Sequence, residues 1–140
     1  MKDFLIKIKG MQELDGDKDT IELTTIGKYG FKNGTCFISY DDSEMLGIDN
    51  VKTVVHIKED NTVVLQRNGG INSRLTVKEG KRSTSFYSTV HGEMMIGIFG
   101  ESIEKNLGNN GGFLKMRYTI DSNLKLVSRN TIEISVKEVN

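Results

Sequence analysis

From Thr62 to Phe99 the chain alternates apolar and polar residues and reverses direction at three turns. Val63, Leu65 and Arg67 share one parity, and Val64, Gln66 and Asn68 the other. Successive side chains of a strand point to opposite faces, so each set occupies one face of a sheet. Asn68-Gly69-Gly70, Glu79-Gly80-Lys81 and His91-Gly92 supply residues that accept the positive φ of tight hairpins. Ser73, Leu75 and Val77 form the next row, and Met94, Ile96 and Ile98 another. Arg82 to Val90, between them, is β-branched and aromatic but less polarised. A period of two cannot serve a helix, so this stretch predicts four short antiparallel strands.

The same alternation runs along the rest of the chain. Phe4, Ile6 and Ile8 lead to a turn at Asp15-Gly16-Asp17. Ile21, Leu23, Thr25, Gly27, Tyr29 and Phe31 then share a face up to Asn33-Gly34, the strongest hairpin signal present. Cys36, Ile38 and Tyr40 face inward, 41–50 is a polar connection, and Val51, Thr53, Val55 and Ile57 face inward again. Leu114, Met116, Tyr118 and Ile120 precede a last strand whose inward row runs Leu124, Leu126, Ser128, Asn130, Ile132, Ile134, Val136. On that strand Leu126, Ile132 and Ile134 are expected buried, and Lys125, Glu133 and Lys137 exposed.

Residues 102–108 are open between strand, loop and a short helix. Ser102 can cap a helical turn that Gly108 ends. The simpler reading carries the strand to about Ile103 and makes Asn106–Gly112 a wide turn. No segment holds a helical period beyond one or two turns. A one-faced meander is stable as a packed sandwich or a closed barrel, and closure removes exposed edges. The expectation is therefore an all-β chain: a single antiparallel up-and-down β-barrel of about eight to ten strands, with 1–140 one domain.

Charge and composition exclude several functions. Nineteen basic residues balance nineteen acidic ones, so no global field draws nucleic acid or an anionic membrane. Lysines interrupt the apolar N-terminus, which excludes a signal-peptide core, and no stretch reaches membrane-spanning length. Cys36 is the only cysteine, so no internal disulfide forms, and a cytoplasmic location is expected. The acidic turn at Asp15-Gly16-Asp17 lacks the later ligands and flanking helices of a calcium loop. His56 and His91 lie on different strands with no third ligand spaced to help, so neither a metal nor a cofactor is expected. Cys36 reads as a small core residue, and no helix start follows Gly69-Gly70 or Gly111-Gly112 to make a phosphate loop.

Arg67 is the residue that demands an explanation. Its parity sets it inside with Val63 and Leu65, and a guanidinium there needs acceptors. It either clamps a ligand anion, sits at a barrel mouth, or pairs with Glu93 or a backbone carbonyl. Tyr40, Ser73, Tyr87, Thr89, Tyr118 and Asn130, with Thr53 and Ser128, are the polar candidates for the same interior. Each hydroxyl has the alternative use of satisfying a nearby strand end. Together with Arg67 they are the candidate binding residues for a small amphipathic anion whose tail would meet Ile38, Val55, Leu65 and Met116. The competing expectation is a filled barrel acting as a structural or protein-interaction module, monomer or homodimer, through an outer face such as Phe37, Val54 and Val64. No catalytic constellation is present, so an enzyme is not expected.

Several short motifs also carry a resemblance. Tyr40…Gly47, Arg67-Asn68-Gly69, Ser73-Arg74-Leu75, Tyr87-Ser88-Thr89-Val90-His91-Gly92 and Gly112…Tyr118 occur in that order over nearly the whole chain. This resembles the YwiB family, a domain of unknown function (DUF1934), with a departure at Val90, where the family pattern has proline. The resemblance implies a calycin-like barrel similar to lipocalins and fatty-acid-binding proteins. It implies no activity.

Overall fold

The computed structural model describes residues 2–70, 72–89 and 92–139, with the side chains of all of these except Met45, Tyr87, Ser88 and Thr89. Among the described residues the strands are β1 (Phe4–Leu14), β2 (Asp17–Lys32), β3 (Thr35–Asp41), β4 (Val51–Ile57), β5 (Thr62–Gly69), β6 (Ser73–Lys78), β7 (Arg82–Thr89), β8 (Gly92–Gly108), β9 (Gly111–Ser122) and β10 (Lys125–Glu138). A single helical turn, α1 (Ser43–Leu46), joins β3 to β4. Each strand pairs antiparallel with the next, and β10 pairs with β1 to close the barrel.

Because the strands alternate in direction, the start of every odd strand and the end of every even strand lie at one end of the barrel. That end is packed with apolar side chains: Phe4, Tyr29, Cys36, Ile57, Val63, Val77, Ile103, Leu114 and Val136 are all buried in one cluster. The rings of Phe4 and Tyr29 meet edge to face with centroids 5.0 Å apart. The Tyr29 hydroxyl donates to the Gly108 carbonyl at 2.6 Å. The other end carries, among the described residues, the β1–β2 turn, α1 and the β9–β10 turn.

The structure corrects several sequence expectations. Ile21 and Phe31, which share a face with the buried Leu23 and Tyr29, are 49% and 48% exposed. β2 is sixteen residues long and reaches past the packed core at both ends, so Ile21 borders the cavity and Phe31 meets the core through the edge of the Tyr29 ring. Leu126 is 51% exposed rather than buried. A register shift between Leu126 and Ser128 ends the inward row at Ser128, as an extra residue in a bulge does. Ile132 and Glu133 are half-buried, and Ile134 is buried as expected. Residues 102–108 are neither helix nor wide turn: β8 runs unbroken to Gly108, and only Asn109 and Asn110 separate it from β9. Val90 and His91, and so the turn at the departure from the family pattern, lie outside the described residues.

Two seams are thinner than the rest. Among the described residues the β6–β7 ladder is reduced to Ser73–Tyr87 and the bridge Lys78–Lys81, with Ser83 Oγ donating to Thr76 O at 3.2 Å between them. The β6–β7 turn leans on β8 instead: Gly80 N–H donates to Gly100 O at 2.8 Å, and Ile103 N–H to Glu79 Oε2 at 2.7 Å. A Cβ at Gly100 would lie 2.3 Å from Lys78 O, so only glycine admits this approach. The second thin seam is the first half of β2, which pairs with β1 but not with β3.

Candidate functional site

Strand register gathers the polar candidates. Tyr40 lies opposite Thr53, Thr53 opposite Arg67, Arg67 opposite Ser73, and Ser73 opposite Tyr87. Asn130 lies opposite Tyr118 on the other side of the barrel. The row across β3 to β6 follows from inward parity, since directly opposed residues of neighbouring strands share a face.

At the centre of this row stands a residue that the sequence reading placed in a solvated loop. Asp42 follows β3, and its side chain is wholly buried. Its backbone N–H donates to Val51 O at 2.9 Å, which ties it to the start of β4. Ser43 Oγ accepts from Val51 N–H at 3.0 Å, and α1 ends on Gly47 in a left-handed cap. The connection thus folds back against the barrel rather than into water. Asp42 Oδ2 accepts from Thr53 Oγ1 at 2.7 Å and from Arg67 Nε at 3.3 Å. Arg67 therefore pairs with Asp42, not with Glu93. Asp42 Oδ1 and Ser73 Oγ are buried without a hydrogen-bond partner. Among the described residues neither Nη of Arg67 meets a protein acceptor, since the bond from Nε is its one hydrogen bond.

Gly69 holds the neighbouring turn against this loop. Its φ of 116° is in the region that favours glycine, and a Cβ would lie 1.7 Å from Asn50 O. Burial, and then the Asp42 carboxylate, push the Tyr40 hydroxyl far above its ordinary pKa. Tyr40 is thus a neutral donor or acceptor at any physiological pH. Asn130 Nδ2 donates to Ser128 Oγ at 3.0 Å, a second buried polar pair.

These groups border a cavity of about 640 Å³ that occupies the second half of the barrel. Four of the sequence-assigned residues, Tyr40, Arg67, Tyr118 and Asn130, line it. Ser73 is not on its wall, and the side chains of Tyr87 and Thr89 lie outside the described residues. Of the residues expected to meet a tail, Leu65 lines the cavity, whereas Ile38, Val55 and Met116 belong to the packed core. The apolar wall is instead Ile8, Leu75, Ile96, Ile120, Ile132 and Ile134. Gln12 and Asp19, which the sequence reading passed over, stand on the wall too. Among the described residues no group of three or more histidine, cysteine or acidic side chains is placed to hold a metal. No helix there is long and apolar enough to cross a membrane.

The outer face named as an interaction surface has a different character. Val64 is only 3% exposed although it points outward. With Phe37 and Val54 it floors a depression of about 760 Å³ rimmed by Lys28, Lys32, Lys52, Lys58 and Arg74. His56 lies in the same depression; burial, and then Arg74 and Lys58, hold its pKa below the usual value.

Fold and interior together define a class: a small, closed, ten-stranded antiparallel barrel, packed at one end and hollow with a buried acid–arginine pair at the other. The family model for a domain of unknown function (DUF1934) matches residues 6–134, and the chain belongs to that family. It is 27% identical over 113 residues to the uncharacterized β-barrel protein YwiB of Bacillus subtilis (strain 168), covering 81% of this chain and 78% of the relative. The crystal structure of the ywiB protein from Bacillus subtilis superposes with a TM-score of 0.84 at 22% identity, covering 99% of this chain and 93% of that one.

Proposed function

We propose that the hollow half of the barrel binds one small amphipathic molecule with an anionic head, without turning it over. The observation that carries this reading is the division of labour on Arg67. Asp42 takes Nε, and the two Nη groups remain for a second acceptor on a cavity wall. A guanidinium can serve two carboxylates, one along each edge of its fork. The Asp42 pair neutralises Arg67 before any ligand arrives, so the head-group contact contributes direction more than raw attraction. Tyr40, Tyr118 and Asn130 are the further polar contacts. The tail would lie along Leu75, Ile96, Ile120 and Ile132. A volume of about 640 Å³ falls within the range of small-molecule pockets. The reading places the chain among calycin-like, lipocalin-like cups, which are wide enough to hold a single ligand.

Calorimetric titration with straight-chain carboxylates and the matching alcohols tests the proposal. The acids should bind about tenfold more tightly than the alcohols, the difference expected of a charge-assisted hydrogen bond. Ile132→Trp, which fills the wall, should abolish binding of both. Equal affinity for acid and alcohol would remove Arg67 from the head-group site. No binding by any chain length would refute the ligand reading.

A further inference from the structure

A closed barrel should have no strand edge, yet this one keeps part of one. β2 pairs with β1 from Asp17 to Gly27 and with β3 only from Lys28 to Lys32. On the β3 side, Asp17 to Ile26 has no strand partner among the described residues. Such an edge presents a row of backbone donors and acceptors to any extended chain. Proteins usually blunt edges with proline, lysine, a bulge or a cover. This chain has no proline, the edge carries one lysine, Lys18, and neither ladder of β2 shows a register shift. α1 touches the strand, but Asp17 to Glu22 is exposed at every residue. Thr20, Ile21, Thr24, Thr25 and Ile26 all favour the extended state.

We propose that this edge pairs with the same edge of a second copy, antiparallel about a twofold axis at Thr20. A twofold axis perpendicular to a sheet places a residue opposite its own copy, and residues of one face opposite each other. Charge then selects the centre. An axis at Asp17, Lys18, Asp19 or Glu22 opposes like charges, which is unfavourable. An axis at Ile21 leaves Lys18 facing threonine. An axis at Thr20 sets Lys18 against the partner's Glu22 and Glu22 against the partner's Lys18, two attractive pairs from one sequence. Asp19, Thr20 and Ile21 also border the cavity, so the partner's strand would wall its flank. The twofold uses the same edge of both copies and so closes the assembly as a dimer.

Sedimentation velocity across a dilution series, with Lys18→Glu, Glu22→Lys and the Lys18→Glu/Glu22→Lys double variant, tests this. All are exposed positions, but Lys18 lies opposite Glu13 and Glu22 opposite Lys9 on β1, so the circular dichroism and urea unfolding of each variant are read beside its sedimentation. Wild type should dimerise, and each single variant should dimerise about tenfold more weakly, because two opposed pairs become repulsive. The double variant, and an equimolar mixture of the two single variants, should regain the wild-type affinity. Thr20→Cys should form an intermolecular disulfide under mild oxidation, while Thr24→Cys should not; the native Cys36 is buried. A monomeric wild type overturns the proposal. So does a dimer indifferent to the charge variants, which would point to another surface.

Discussion

The two ends of the barrel are built by one alternation and yet differ in kind. At the packed end the inward positions hold Phe4, Tyr29, Ile57, Val63, Val77, Ile103 and Leu114, large enough to meet across the interior. At the hollow end the corresponding positions include Gly10, Ser128 and Asn130, whose small or polar side chains line the space between the walls. Parity decides which face is inside, and side-chain volume decides whether that inside is filled. The packed end resembles a protein interior in which every methylene is felt. Beside the hollow end two buried polar atoms, Asp42 Oδ1 and Ser73 Oγ, lack a hydrogen-bond partner, although neither residue lines the cavity.

The sharpest break of this contrast is a pair of truncations. Leu114→Ala removes a wholly buried side chain from the packed end and should cost about 3–5 kcal/mol in urea unfolding. Ile132→Ala, on the half-buried cavity wall, should cost about 1 kcal/mol, because little dispersion is lost where a wall already faces space. Equal losses would mean that the hollow end is packed after all.

The acid–arginine pair should give the next largest effect. Arg67→Met strands a fully buried carboxylate, and should cost about 2–3 kcal/mol, below the fully buried range because Arg67 keeps some solvent contact. Asp42→Leu/Arg67→Met, which removes both charges, should recover most of that loss. A double variant as unstable as the single one would show that the pair itself, rather than its symmetry, holds α1 in place.

Tyr29→Phe is the corresponding test of polarity at the packed end. It deletes the bond to Gly108 O and the hydroxyl's contact with the Cys36 thiol, and leaves the ring contacts with Phe4 and Phe31. The expected loss is about 1 kcal/mol, measured by urea unfolding beside wild type. A larger loss would show that the β8–β9 turn depends on that hydroxyl.

The packed end was legible in the sequence because its residues are apolar and regularly spaced. The hollow end was legible in its walls and not in its centre. Tyr40, Arg67, Tyr118 and Asn130 were found by parity, and the structure places them on one cavity. Asp42 was missed because a polar run, DDSEMLGIDN, reads as a solvated loop. One signal was available: Ile38, Tyr40 and Asp42 share a parity, and an inward arginine needed an acid. Leu126 could not be placed, because a bulge is one residue of insertion with no signature in alternation until a partner strand is known. The exposure of Ile21 and Phe31 was not legible for a related reason. Alternation gives the face of a strand, but not where its partners stop.

The smallest expected effect concerns acid and the hollow end. Arg82 lies across Gly97, where a Cβ would fall 2.2 Å from its Nη2, and donates to Asp121 from Nε at 3.0 Å and Nη2 at 2.7 Å. Asp121 Oδ1 also accepts from Leu124 N–H at 3.0 Å, which fastens the β9–β10 turn to β7 across β8. The Arg82 hydrogen bonds hold the Asp121 carboxyl below its ordinary value of 3.8. A carboxyl with a depressed folded pKa binds fewer protons folded than unfolded near that value, so its contribution is complete above about 3.8 and fades as pH falls through the lower folded value. Amide protection at Leu124 should therefore weaken on acidification below pH 4, before protection at Leu114 in the packed end changes. Asp121→Asn should remove that difference between the two ends while leaving their order at neutral pH intact. Simultaneous loss at Leu124 and Leu114 would mean that the barrel opens as one unit, and that its two ends differ in filling but not in stability.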